Sequence, residues 1–162
     1  LLGATWLVWK VEGSAEVHAR RLSLFAGMGT LIAMGAVSIA TPFLQYEYWR
    51  RWFDMPGVLA TAQVPLVTAI VAFLFFRYLR RGATAVPFLL SLALFALGFA
   101  GLGISLFPYI VPDSITIWDA AAPERSQVFM LVGTAIIMPI ILAYTAWAYW
   151  VFRGKVGTHG YH

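Results

Sequence analysis

Four stretches of this chain hold no charged side chain: Leu22 to about Leu44, Pro56 to Phe76, Ala83 to about Pro108, and Ser126 to Phe152. A helix crosses roughly 30 Å of hydrocarbon with about 20 residues at 1.5 Å each. A charge at the centre of such a span costs about 2.5–3.5 kcal/mol, so charge-free runs of this length mark membrane crossings. The apolar stub Leu1–Trp9 reads as the end of another crossing helix whose start lies outside the sequence. Composition agrees: 61% of residues are hydrophobic and 11% charged, whereas soluble domains run nearer half and a quarter. The expected fold is therefore all-α, a polytopic helical membrane protein with four complete transmembrane helices in a bundle plus the end of a preceding one. Its expected parts are the truncated helix end (1–9), a cytoplasmic loop (10–21), the four-helix bundle (22–156) and a cytoplasmic tail (157–162).

Basic residues set the expected orientation. Lys10, Arg20, Arg21, Arg77, Arg80, Arg81, Arg153 and Lys155 fall in alternate loops and the tail, against Arg50, Arg51 and Arg125 on the other side. The more basic side is expected to face the cytoplasm, which puts the C-terminus there. Their placement in pairs and triplets at span ends argues for topology signals and against a nucleic-acid face. Trp49 and Trp52 beside Arg50 and Arg51, and Trp147 and Trp150 before Arg153, are expected as interface anchors at headgroup depth. A stacking box for a cofactor is the sharper alternative for these rings.

Small residues recur at helical spacing, which lets helix backbones approach where lipid removes the hydrophobic drive. They form two stripes in the third complete span, Ala93–Ala96–Ala100–Gly103 and Gly98–Gly101–Ser105, and the pairs Ser23–Gly27 and Gly29–Ala33 in the first. Pro65 and Pro139 lie inside spans and are expected to bend them. In the last long loop, Asp113-Ser114 after Pro112 reads as a turn, and Pro123-Glu124 as the first turn of the next helix.

The apolar spans hold no Asp, Glu, Lys, Arg or His for a proton relay or a metal. His18 is assigned to the first loop and His159 and His162 to the tail, while Met28, Met34, Met130 and Met138 read as packing. Cysteine is absent, which excludes thiolate ligands. Glu47, Asp54, Asp113, Asp119 and Glu124 fall in or beside the non-cytoplasmic loops, where solvated charge is the default. The residues alone thus describe a scaffold-like membrane subunit with no cofactor bound by this chain.

Three blocks carry a family resemblance. LGATWLVWKVEGSAEVHARR (Leu2–Arg21), GISLFPYIVPDSITIWDAAA (Gly103–Ala122) and MPIILAYTAWAYWVFRGKV (Met138–Val156), with the terminal Gly160-Tyr161-His162, resemble subunit II of the cytochrome bd quinol oxidases, in particular its cyanide-insensitive branch. The resemblance implies the C-terminal half of an eight-helix protein in a bacterial cytoplasmic (inner) membrane. It implies a haem-free structural subunit in a complex that oxidises quinol and reduces O₂ to water. Two b-type haems and one d-type haem would belong to the partner, subunit I, with a small single-helix subunit as a further candidate partner. Membrane lipid and quinone are candidate ligands. Phe107, Pro108, Trp118 and Asp119 are signature positions, expected to shape the non-cytoplasmic end of the bundle; no catalytic residue carries over. The competing classes are a fragment of a secondary transporter, which should show polar groups near the midplane, and the cofactor-poor subunit III of a haem–copper oxidase, which the FP…WDA…YTAW blocks do not suit.

Overall fold

A computed structural model describes residues 1–44, 63–111 and 114–155. Among these the chain forms five helices and one small hairpin: α1 (Leu2–Lys10), α2 (Ser14–Leu44), α3 (Gln63–Arg80), α4 (Val86–Leu106), β1 (Tyr109–Val111), β2 (Ile115–Thr116) and α5 (Glu124–Val151). Helices α2 to α5 are each long and apolar enough to cross a membrane. The chain is an all-α polytopic membrane protein. It divides into two compact units, one built on α1–α4 and the other on residues 106–154.

Helix α2 begins at Ser14, eight residues before the charge-free run, so most of the segment expected as a loop is helical. A charge-free run measures the part of a helix that sits in hydrocarbon, and polar turns can continue the helix beyond it. His18, expected in a loop, therefore stands on α2, where it is exposed. The reversal from α1 to α2 takes only Val11–Gly13.

The side chain of Arg20 joins the polar end of α2 to the turn between α3 and α4. Its Nη1 donates to the carbonyls of Leu79 (2.8 Å) and Ala83 (3.1 Å), and its Nη2 to Gly82 O (3.2 Å) and Glu16 Oε1 (2.6 Å). The last carbonyls of a helix lack partners within it and carry the negative end of its dipole, so a guanidinium there meets both needs. The turn is shaped to receive it. Gly82 adopts φ +83°, and Ala83 N–H bonds to Tyr78 O (3.2 Å) while Gly82 N–H bonds to Leu79 O (3.4 Å). That pair of bonds is a Schellman cap, which wants glycine at its left-handed position.

Below this joint the helices meet on small residues. Ala19, Ser23 and Gly27 of α2 are buried, and Ser23 returns its hydroxyl hydrogen to Ala19 O at 2.8 Å. A Cβ added at Gly27 would stand 2.7 Å from Cε1 of Phe75, a ring of α3 that is itself fully buried. The expected Ser23–Gly27 pair thus lies at a helix contact, whereas Gly29 and Ala33 are exposed and no atom approaches the Cβ position of Gly29. Of the two stripes on α4, Gly98–Gly101–Ser105 faces neighbours: a Cβ at Gly98 would lie 3.4 Å from Met34 Cε and one at Gly101 3.7 Å from Val64 Cγ1. Ala96, Ala100 and Gly103 are exposed. Spacing identifies a small face, but not which of two faces finds a partner.

Helix α1 packs against the start of α4 through rings and one buried polar bond. Trp6 stands edge-on to Phe88 at 5.1 Å between centroids, and Lys10 Nζ lies 5.1 Å from the Trp6 ring centre. Thr5 Oγ1 and Ser91 Oγ, both buried, lie 3.0 Å apart. Pro65 occupies the first turn of the described α3. Pro139 lies in the interior of α5, as expected from the sequence.

Two outcomes test this packing by thermal unfolding of the purified protein in detergent. Gly27→Leu should destabilise it by about 1–3 kcal/mol through overpacking against Phe75, and Gly29→Leu should leave it within about 0.5 kcal/mol. Arg20→Ala should cost about 2–3 kcal/mol, because it strips charge-assisted bonds from half-buried acceptors. Arg20→Lys should recover only part of that loss, since an ammonium cannot fork between the same carbonyls.

Candidate functional site

Two features remain once the helix contacts are accounted for: the connection that carries the signature residues, and an apolar groove on the α1–α4 unit. The connection follows α4 directly. Strands β1 and β2 pair antiparallel, Tyr109 opposite Thr116 and Val111 opposite Ile115. Ser114 N–H closes the tip on Val111 O at 3.1 Å; Asp113, its expected turn partner, lies outside the described residues.

The four signature positions come together around this hairpin. The peptide between Phe107 and Pro108 is cis, and Pro108 O accepts from Ile117 N–H at 2.9 Å. The rings of Phe107 and Trp118 meet edge-to-face, 5.9 Å between centroids at 75°. Asp119 Oδ2 accepts from the backbone N–H (3.3 Å) and the hydroxyl (2.6 Å) of Thr116, while Asp119 N–H donates to Thr116 Oγ1 (3.2 Å). This reciprocal arrangement is a capping box, and Ala120 N–H bonding back to Thr116 O at 3.1 Å completes one helical turn beneath it. The carboxylate of Asp119 is therefore committed to backbone architecture. Sequence reading missed both Thr116 and the hairpin, although the Thr-x-x-Asp spacing of residues 116–119 was the available signal.

Beyond the hairpin, Pro123 takes the cap position of α5, one residue outside the place expected for it, and Glu124 opens the helix. At the far end Trp147 and Trp150 lie 5.6 Å apart, both well exposed, and the Arg153 guanidinium sits 4.7 Å from the Trp150 ring centre. Trp49 and Trp52 lie outside the described residues, as do Arg50, Arg51, Glu47, Asp54, His159 and His162.

The groove has a volume of about 570 Å³ and lies between the first turn of α1, the middle of α2 and α4. Leu2, Met34, Phe95, Gly98 and Leu102 give it an apolar wall, and its hydroxyls belong to Thr30 and Ser91. Thr30 donates to Ala26 O at 2.8 Å and Ser91 to Phe88 O at 2.8 Å, so both are already engaged. Among the described residues no charged side chain lines it. A groove with such a lining is shaped for an apolar body.

Comparison with known proteins follows the same outline. The family model described as cytochrome bd terminal oxidase subunit II matches residues 1–152. The chain is 29% identical over 185 aligned residues to the protein named cytochrome bd-I ubiquinol oxidase subunit 2 from Escherichia coli K12. It is 23% identical over 188 to the probable cytochrome oxidase subunit 2 of Haemophilus influenzae. In both cases the alignment takes in 95% of this chain and 48% of the relative, so the chain spans about half the length of the curated relatives it matches. The match begins at the first residue of the helical unit and runs past the end of α5. With every described helix and the whole signature hairpin inside it, the chain belongs to the cytochrome bd terminal oxidase subunit II family.

Proposed function

We propose that the chain is part of a haem-free structural subunit of a cytochrome bd-type quinol:oxygen oxidoreductase. In this reading it lies in a bacterial cytoplasmic membrane with its C-terminus in the cytoplasm. It stabilises subunit I, which carries two haems b and one haem d and performs quinol oxidation and O₂ reduction. The observation that carries the reading is the family match across all described helices, joined to apolar spans that hold no His, Cys, Asp, Glu, Lys or Arg. The signature residues fit a structural role, because Asp119 and Trp118 spend their polar and aromatic contacts within one hairpin.

The same reading gives the hairpin and the groove their tasks. The hairpin would shape the non-cytoplasmic end of the helices, with Trp49, Trp52, Trp147 and Trp150 anchoring the two membrane interfaces. The groove would accept the alkyl tail of a quinone or lipid, since its lining supplies shape and apolar surface.

Two measurements on the purified native complex test this. Replacing His18, His159 and His162 together by Ala should leave the haem content per complex unchanged; loss of a haem would show that this chain supplies a ligand. Trp118→Ala and Asp119→Ala should each lower the yield of assembled complex. The capping-box variant should cost about 1 kcal/mol of local stability. Unchanged assembly and haem spectra in both would remove the hairpin from the account.

A further inference from the structure

Helix α3 carries one face that no described residue covers, and that face has a composite chemistry. Taking 100° per residue, Leu66, Ile70, Phe73 and Arg77 follow at spacings of four, three and four along one line, and Arg80 and Arg81 flank its end. Leu66, Ile70 and Phe73 are each more than half exposed, and the three arginines are exposed as well. The opposite face holds Ala72, Phe75 and Leu79, which are buried. A long apolar stripe thus ends in three guanidinium groups at one end of a span.

The charge at that end is left over. Glu16 is engaged by Arg20 at 2.6 Å, and Glu12 lies 3.8 Å from Lys155. Among the described residues no carboxylate pairs with Arg21, Arg77, Arg80 or Arg81. Arg20 bonds to Leu79, Gly82 and Ala83, which brings the adjacent Arg21 to the same corner. The helix dipole of α3 points its negative end here, yet Arg20 and the glycine cap already engage the carbonyls of Tyr78 and Leu79.

We propose that this face binds an anionic phospholipid, its acyl chain along Leu66, Ile70 and Phe73 and its phosphodiester on Arg77, Arg80 and Arg81. The α3 segment is long enough to hold that end at headgroup depth, where the bilayer itself supplies phosphodiesters. Guanidinium groups present paired donors to phosphate oxygens, which an ammonium does not. This site is separate from the groove between α1, α2 and α4. It requires only that the chain lies in a membrane, so it can fail while the oxidase reading stands, and the reverse.

The test uses the full-length protein in its native complex, stripped of lipid in detergent and titrated with phosphatidylglycerol or phosphatidylcholine of the same acyl chains. Retention is read by native mass spectrometry. Phosphatidylglycerol should be retained in preference, and Arg77→Gln and Arg80→Gln should each weaken its retention about fivefold, leaving phosphatidylcholine unaffected. Arg77→Lys should recover part of the loss, which also separates charge from any failure of membrane insertion. A photoreactive side chain in place of Phe73 should cross-link to lipid. Equal retention of the two lipids, single variants that bind like the parent, or a cross-link to polypeptide in place of lipid would each overturn the proposal.

Discussion

A helix that ends at a membrane boundary leaves carbonyls without partners, and in this chain one guanidinium resolves that problem for the joint on which the α1–α4 unit turns. Arg20 reaches from the polar foot of α2 to three carbonyls at the end of α3 and the turn beyond it, with Glu16 balancing its charge. Three directed bonds fix where α2 meets the end of α3. The rest follows from that closeness: Gly27 must be small because the Phe75 ring lies against it, and Ala19 and Ser23 are buried on the same helix. In hydrocarbon there is no hydrophobic drive to force such an approach, so close backbone contact and satisfied polar ends do the joining.

The apolar spans were legible because insertion energetics penalise charge strongly and write themselves into the sequence as uninterrupted runs. Boundaries were less so. The run starting at Leu22 marks where α2 enters hydrocarbon, and the helix below it is polar, so its start at Ser14 left no hydropathy signal. Small-residue spacing announced close packing but offered two faces on α4, and only the fold shows that Gly98 and Gly101 meet neighbours. Arg20 read as one of several topology markers. Its role as a cap depends on Leu79, Gly82 and Ala83, far away in sequence, and no local pattern connects them.

The candidate site shows the same division. Phe107, Pro108, Trp118 and Asp119 stood out by resemblance, and their contacts explain why they travel together: ring on ring, and a carboxylate closed onto Thr116. Their geometry builds a compact turn structure next to a helix end. Within it the Asp119 carboxylate turns one oxygen onto Thr116. These contacts are architectural, and they agree with the proposed role of holding a partner's haem site in place.

That central claim is tested most directly by the optical spectrum of the native complex isolated through a tag on this protein. The account predicts co-purification of a haem-bearing partner, with b-type bands and a far-red band of a reduced chlorin haem d. A colourless preparation, containing this chain and no haem subunit, would contradict it.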